Sequence, residues 1–160
     1  FKMSKGEVDR RVDELLDTVE LPASFADRFP RELSGGERQR INLARSLTAE
    51  PKLMICDEIT SALDTIVAEA ILKLLRELQE RLKIAYVFIS HDLSTISKVA
   101  DTIAVMRDGK IVEYGSTVEI LTPPHHNYTE LLLSSVPELR TDWLDGIEAQ
   151  RTTARTAAAG

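Results

Sequence analysis

The chain has 160 residues, of which 26 are acidic and 20 basic, so its formal net charge is −6. This balance argues against a nucleic-acid partner held by phosphate neutralisation, and the single cysteine excludes an intramolecular disulfide or a four-cysteine metal site. The hydrophobic share is 43%, with no apolar run near the ~18 residues that a membrane span needs, so we expect a cytosolic globular chain.

Apolar residues at spacings of three and four predict two amphipathic helices in the first part of the chain, over residues 6–19 and 37–47. An apolar run over 52–56, bounded by Pro51 and Asp57, predicts a strand. The most regular helical pattern follows over 65–82, and its expected buried face comprises Val67, Ile71, Leu74, Leu75, Leu78 and Leu82. The run 84–89 lacks alternation and predicts a strand with both faces covered.

The rest of the chain predicts a short helix over 93–99, a hairpin of strands 102–106 and 110–114 turning at Gly109, and a last helix over 127–135. This order predicts an α/β fold with a mainly parallel sheet flanked by helices, followed by a C-terminal β-hairpin and helical extension. Ligands of such folds bind at the carboxyl ends of the strands. The last residues, 140–160, are polar and then rich in Ala and Thr, which favours a disordered tail.

Polar residues with possible chemistry follow both predicted strands. Asp57 and Glu58 come after the first strand, where one carboxylate could hold Mg²⁺ and the other could address a water molecule. His91 comes after the second strand and could hydrogen-bond a phosphate oxygen. The alternatives are an acidic loop start and a helix-start histidine without a ligand. His125 and His126 lack further ligands at a suitable spacing, so we interpret them as structural.

Two further segments precede predicted helices. Ser34, Gly35 and Gly36 stand before Glu37, where close backbone approach and a helix N-terminus would form a seat for an anion. The alternative is a serine N-cap after a glycine-rich turn. Asp64 stands before the long helix, and capping alone would explain it.

Together these segments resemble the ATP-binding-cassette (ABC) ATPases. In chain order they are the signature segment LSGGE (residues 33–37), the Walker B segment LMICDE (53–58), the D-loop SALD (61–64) and the switch histidine His91. The segment from 123 to 137, which contains PPHHNYT, is similar to the C-terminal extension of oligopeptide and dipeptide importers. Four motifs in the family's order make this resemblance far more specific than any one of them.

The resemblance implies a role for each of these residues. Asp57 would hold Mg²⁺ through water, Glu58 would be the general base, and His91 would contact the γ-phosphate of ATP. Ser34, Gly35, Gly36 and Glu37 would meet the ATP of the opposite subunit, and Asp64 would signal across the dimer. Two residues depart from the family pattern: Ile59 replaces the usual Pro, and Glu37 replaces the more frequent Gln.

A phosphate loop requires Gly, four residues and then Gly-Lys-Ser/Thr, and no such sequence occurs among these 160 residues. We therefore expect the C-terminal portion of an ATPase domain that lacks its Walker A half and is inactive alone. The expected domains are residues 1–122 (ATPase part), 123–139 (importer-type extension) and 140–160 (tail).

The expected function is ATP binding and hydrolysis in an importer, with peptides as the expected cargo, at the cytoplasmic face of the inner membrane. The expected partners are a second ABC ATPase subunit, transmembrane permease subunits and, indirectly, an extracytoplasmic solute-binding protein, with no nucleic acid. Two alternatives stay open: a non-catalytic remnant or interaction module, and a head fragment of a chromosome-maintenance or repair ATPase. The heads of chromosome-maintenance and repair ATPases emerge from long coiled coils, whereas residues 1–19 carry barely two heptads.

Overall fold

The computed structural model describes residues 3–135, so the predicted tail at 140–160 lies outside the described residues. The chain divides after Ile89 into two units, residues 1–89 and 90–160.

The first unit contains three α-helices: α1 (Lys5–Thr18), α2 (Gly35–Leu47) and α3 (Thr65–Leu82). Two short 3₁₀ helices, Ala23–Phe25 and Pro30–Glu32, lie between α1 and α2. All three predicted α-helices are therefore confirmed, and α3 has the predicted bounds. Helix α2 begins two residues earlier than predicted, because Gly35 and Gly36 form its first residues directly after the N-cap Ser34.

The core of the first unit lies along α3, whose Ile71, Leu75 and Leu78 are at most 1% exposed. Leu82 was also expected on this face, but it is 44% exposed because α3 ends there, before Lys83 reverses the backbone at φ 55°. The buried residues of α1 and α2 complete this core: Leu15, Leu16, Leu43, Ala44 and Leu47.

Arg40 of α2 binds the residues that follow the C-terminal end of α1. Its Nη1 donates to the carbonyl oxygen of Val19 at 2.8 Å and to Oε2 of Glu20 at 2.6 Å. Val19 is fully buried and the Arg40 side chain is 17% exposed, so this contact fixes the orientation of α2 inside the protein.

The sheet of the first unit consists of two parallel strands, β1 (Leu53–Asp57) and β2 (Ala85–Ile89), in register from Leu53 opposite Ala85 to Asp57 opposite Ile89. One face is covered, and its Met54 and Cys56 are buried. The opposite face is not: its apolar side chains are 45–64% exposed, namely Leu53, Ile55, Val87 and Ile89. The prediction that the strand over 84–89 has both faces covered was therefore wrong, since nothing in the described part of the first unit covers this second face.

The second unit begins with α4 (Leu93–Val99), continues with an antiparallel hairpin of β3 (Thr102–Arg107) and β4 (Lys110–Ser116), and ends with α5 (Thr117–Leu121) and α6 (Asn127–Ser134). Asp108 and Gly109 form the turn, both at positive φ (51° and 74°), as a two-residue hairpin loop requires. The sequence did not predict α5, because five residues are too few for a helical period. Across the described range, no helix has the length and apolarity to cross a membrane.

Candidate functional site

The acidic pair Asp57 and Glu58 lies where β1 ends, as predicted. Asp57 is the last residue of β1 and is exposed, while Glu58 is partly buried. The backbone N–H of Glu58 donates to the carbonyl oxygen of Ile89, the last residue of β2, at 2.9 Å. The pair is therefore anchored to the carboxyl ends of both parallel strands.

Glu58 adopts a left-handed backbone conformation, with φ at 47°. A non-glycine residue rarely adopts this conformation unless neighbouring groups hold it. Here the carbonyl oxygen of Glu58 accepts from the backbone N–H of Ser61 at 3.2 Å and from its hydroxyl at 2.9 Å. Ser61 thus closes the turn in which Ile59 stands, and the backbone of Glu58 is fixed on both sides.

The predicted anion seat at residues 34–37 is the N-terminus of α2. Ser34 Oγ accepts from the backbone N–H of Glu37 at 3.3 Å, and Glu37 Oε2 accepts from the backbone N–H of Ser34 at 2.7 Å. These reciprocal hydrogen bonds form a capping box, so the capping interpretation of Ser34 is confirmed. The bond from the Ser34 backbone, and then that from its side chain, lower the pKa of Glu37 below its ordinary value.

Both glycines of this turn pack against the segment that follows Glu58. A Cβ placed on Gly35 would lie 3.2 Å from Leu63 Cδ2, and one on Gly36 would lie 2.6 Å from Val67 Cγ1. Asp64, between these two residues, is the N-cap of α3, and its Oδ1 accepts from the backbone N–H of Val67 at 3.0 Å. The structure therefore brings the start of α2 into direct contact with the start of α3.

Sequence reasoning missed Leu63 and Val67 as part of this site. Val67 was assigned only to the apolar face of α3, and it is partly buried. The sequence offers no signal for its contact with Gly36, because the two residues are 31 positions apart and belong to different helices.

His91 belongs to the second unit, where it is exposed and precedes α4. Its neighbour Asp92 caps α4, and Oδ1 of Asp92 accepts from the backbone N–H and the hydroxyl of Ser94 at 3.0 and 2.7 Å. Burial alone would raise the pKa of Asp92, but the hydrogen bonds from Thr95 and Ser94 outweigh burial and leave the pKa lowered. The other predicted site residues lie in the first unit: Ser34, Gly35, Gly36, Glu37, Asp57, Glu58 and Asp64.

Two protein-family models match this chain. The model described as ABC transporter matches residues 2–61, and the model described as oligopeptide/dipeptide transporter, C-terminal region, matches residues 112–160. The chain belongs to the ABC ATPase family. The first match includes the signature and Walker B segments, and the second includes the segment that resembles importer extensions.

Curated relatives of this ABC chain are named as transport ATP-binding proteins. The oligopeptide transport ATP-binding protein AppF of Bacillus subtilis is 48% identical over 134 residues, which are 84% of this chain and 41% of that protein. The dipeptide transport ATP-binding protein DppF of Haemophilus influenzae is 44% identical over 138 residues, which are 86% of this chain and 42% of that protein. The chain therefore spans less than half the length of these relatives.

Solved structures support the same fold. A dimeric bacterial ABC transporter cassette is 32% identical, with a TM-score of 0.63, over 73% of this chain and 50% of that one. A second structure of that cassette, with the same scores, is in a post-hydrolysis state bound to ADP and Pi. The predicted α/β fold of an ABC-type NTPase is thereby confirmed.

The carboxylates of this ABC chain suit Mg²⁺ better than a structural metal. Mg²⁺ uses one or two carboxylates together with water and substrate phosphates, and the exposed Asp57 offers one such carboxylate. A zinc site requires several converging ligands, and residues 3–135 contain no group of three or more His, Cys, Asp or Glu that could hold a metal. His126 is structural as interpreted, because its Nδ1 accepts from the backbone N–H of Tyr128 at 3.2 Å and caps α6.

Proposed function

We propose that this chain is the signature-to-switch part of an ATPase subunit that powers a peptide importer. The observation that carries the proposal is the acidic pair at the end of β1, with the backbone of Glu58 fixed by Ile89 and Ser61. The names of the relatives supply the transport class and the cargo class. The match of residues 112–160 to the importer C-terminal model favours this function over a chromosome-maintenance head.

The proposed reaction is hydrolysis of ATP by in-line attack of water on the γ-phosphate. Glu58 orients that water and accepts its proton, and His91 hydrogen-bonds an oxygen of the γ-phosphate. Asp57 would hold Mg²⁺ through water, and the ion, when bound, would supply positive charge to offset that of the phosphate oxygens. A fixed Glu58 backbone suits this role, because positioning and electrostatic stabilisation supply most of the catalysis of phosphoryl transfer.

The start of α2 is proposed to meet ATP held by a second ABC ATPase subunit. Ser34 is exposed there, and the N-terminus of a 13-residue helix presents unpaired N–H groups and the positive end of the helix dipole. This contact with ATP also includes Gly35, Gly36 and Glu37. Asp64 signals across the dimer. Permease subunits would place the dimer on the cytoplasmic face of the inner membrane, with an extracytoplasmic solute-binding protein supplying the peptide.

The second candidate function is a non-catalytic interaction module. These 160 residues contain no phosphate loop, so this candidate concerns the segment by itself, which would bind a partner without turning over ATP. We retain the division into residues 1–122, 123–139 and 140–160 as part of the proposal for either function.

The decisive experiment supplies the phosphate-loop half of a relative together with this chain and measures ATP turnover. We expect no turnover by the chain alone, turnover by the combination, and a loss of about 10²–10⁴-fold with Glu58→Gln, the usual contribution of a general base. Glu80→Gln, an exposed glutamate of α3, is the matched control and should leave turnover unchanged. If the combination shows no ATP turnover, the proposed ATPase function is contradicted. If the chain alone turns over ATP and Glu58→Gln abolishes that turnover, the need for a phosphate-loop half is contradicted.

A further inference from the structure

We propose that Val67 is the positioning residue of the signature turn (residues 34–37), and that Gly36 must be glycine because of Val67 rather than because of the nucleotide. The proposal deepens the proposed function, since it concerns how the turn that would meet the partner's ATP is held in place. It assigns to Val67 a role that its position on the apolar face of α3 does not explain.

The contact between Gly36 and Val67 is too close for any side chain at position 36. A Cβ there would lie 2.6 Å from Val67 Cγ1, a distance that real Cβ atoms essentially never show. The next atom of Val67, its own Cβ, would lie at 3.9 Å, which is ordinary van der Waals contact. The obstacle to a side chain at position 36 is therefore a single methyl group.

Val67 also connects this contact to the D-loop (residues 61–64). Its backbone N–H is bound by the carboxylate of Asp64, so its position depends on the cap of α3. A Cβ placed on the neighbouring Gly35 would lie 3.2 Å from Leu63 Cδ2, so the D-loop contacts the turn at a second point. A displacement of the D-loop would thus be transmitted to residues 34–37 through packed atoms.

The two explanations of Gly36 predict different behaviour of Gly36→Ala. Alanine keeps the backbone N–H, so a phosphate contact made by that group survives the substitution. If Val67 alone forbids a Cβ, removal of the methyl groups with Val67→Ala makes alanine acceptable at position 36. If the nucleotide needs the space, Val67→Ala changes nothing.

The chain contains a matched control for the substitution. Gly6 occupies the same place in α1 that Gly36 occupies in α2: second in the helix, two residues after a capping serine and one before the glutamate of a capping box. A Cβ on Gly6 would meet nothing within 4 Å. Since alanine forms helix better than glycine, Gly6→Ala should raise the thermal unfolding midpoint.

The test is a double-substitution cycle on the thermal unfolding midpoint of the chain. We expect Gly36→Ala to lower the midpoint by about 4 °C or more in the presence of Val67, the scale of an overpacked site in a domain of this size. In the Val67→Ala background the sign should reverse, so that Gly36→Ala raises the midpoint as Gly6→Ala does. An effect of the same sign in both backgrounds overturns the proposal. So does a double variant that fails to fold while Val67→Ala alone folds.

A second measurement separates this inference from the proposed function. In the combination with a phosphate-loop half, Gly36→Ala should lower the kcat for ATP at least tenfold, and adding Val67→Ala should restore it to within about threefold of Val67→Ala alone. Failure of that rescue, with turnover still sensitive to Glu58→Gln, contradicts the role of Val67 alone. Turnover insensitive to Glu58→Gln contradicts the proposed function, and the unfolding cycle still decides the role of Val67.

Discussion

Asp64 has a structural role that can be separated from its proposed signalling role by two substitutions. Its Oδ1 accepts from the backbone N–H of Val67 at 3.0 Å and caps α3, the helix that carries the most buried side chains of the first unit. Asp64→Ala removes the cap, whereas Asp64→Asn keeps a side-chain oxygen that can accept the same hydrogen bond and removes the charge.

The cost of Asp64→Ala follows from the loss of one capping bond at an exposed helix end. N-cap substitutions by alanine cost about 0.5–2 kcal/mol, and loss of the negative charge near the helix N-terminus adds about 0.3–1 kcal/mol at low salt. We therefore expect a free energy of unfolding lower by about 1–3 kcal/mol for Asp64→Ala. Asp64→Asn loses only the charge, so its expected decrease is at most about 1 kcal/mol.

Urea denaturation of the three chains, followed by circular dichroism, measures both differences. The slope of the transition should be unchanged, because capping alters stability rather than the surface exposed on unfolding. Equal stabilities of Asp64→Ala and the unsubstituted chain would refute the capping argument. If Asp64→Asn is as stable as expected but abolishes ATP turnover in the combined cassette, the charge of Asp64 has a role beyond capping.

The remaining predictions of this kind concern four side chains of the first unit. Arg40→Ala should lower the free energy of unfolding by about 1.5–3 kcal/mol, because it leaves the buried carbonyl of Val19 without its charged donor. Glu20→Gln should change it by less than about 1 kcal/mol, since that carboxylate is 55% exposed, and equal losses would contradict this reading of the contact. The Ser34 hydrogen bonds lower the pKa of Glu37. Their contribution to stability is therefore fully present above the ordinary pKa of 4.5 and is lost as the pH falls through the lowered pKa. Glu37→Gln should reduce this loss of stability at acid pH, measured as unfolding midpoints over a pH series. Burial raises the pKa of the Cys56 thiol to about 11, so iodoacetamide should modify it much more slowly in the folded chain than in urea at pH 8, and equal rates would show that it is exposed.

The sequence predicted the elements well because their signals are local. The period of α3 and the run of apolar residues in β1 each extend over one segment, and Asp64 and Ser34 are capping residues by type. The site residues Asp57 and Glu58 stand at the end of a run of apolar residues, so their place at the carboxyl end of the sheet could be predicted from the sequence.

What the sequence could not predict depends on contacts between distant segments. The conformation of Glu58 requires the carbonyl of Ile89, which is 31 residues away, and the packing of Gly36 requires Val67. The prediction that both faces of the strand over 84–89 are covered failed for the same reason. A strand that is apolar on both faces is compatible with burial of both faces. Whether both faces are in fact buried depends on other segments that pack against them.

The uncovered face bears directly on the proposed catalysis, because it belongs to the strands that position Glu58. Full burial of an aliphatic side chain contributes about 1.5–3 kcal/mol, so covering four half-exposed ones contributes roughly 3–6 kcal/mol. A two-stranded sheet is only marginally stable by itself, and whole domains are stable by about 5–15 kcal/mol.

A phosphate-loop half that covers this face would therefore act on the reaction in two ways: by contacting ATP, and by stabilising β1 and β2. The second effect needs no nucleotide, so the combination should resist unfolding more than the chain alone even without ATP. Substitution of the exposed Ile55 by serine should weaken that gain while costing the chain alone little, because Ile55 is 64% exposed. If Ile55→Ser leaves the gain intact, the second half does not cover this face, and the site must owe its rigidity to Ile89 and Ser61 alone.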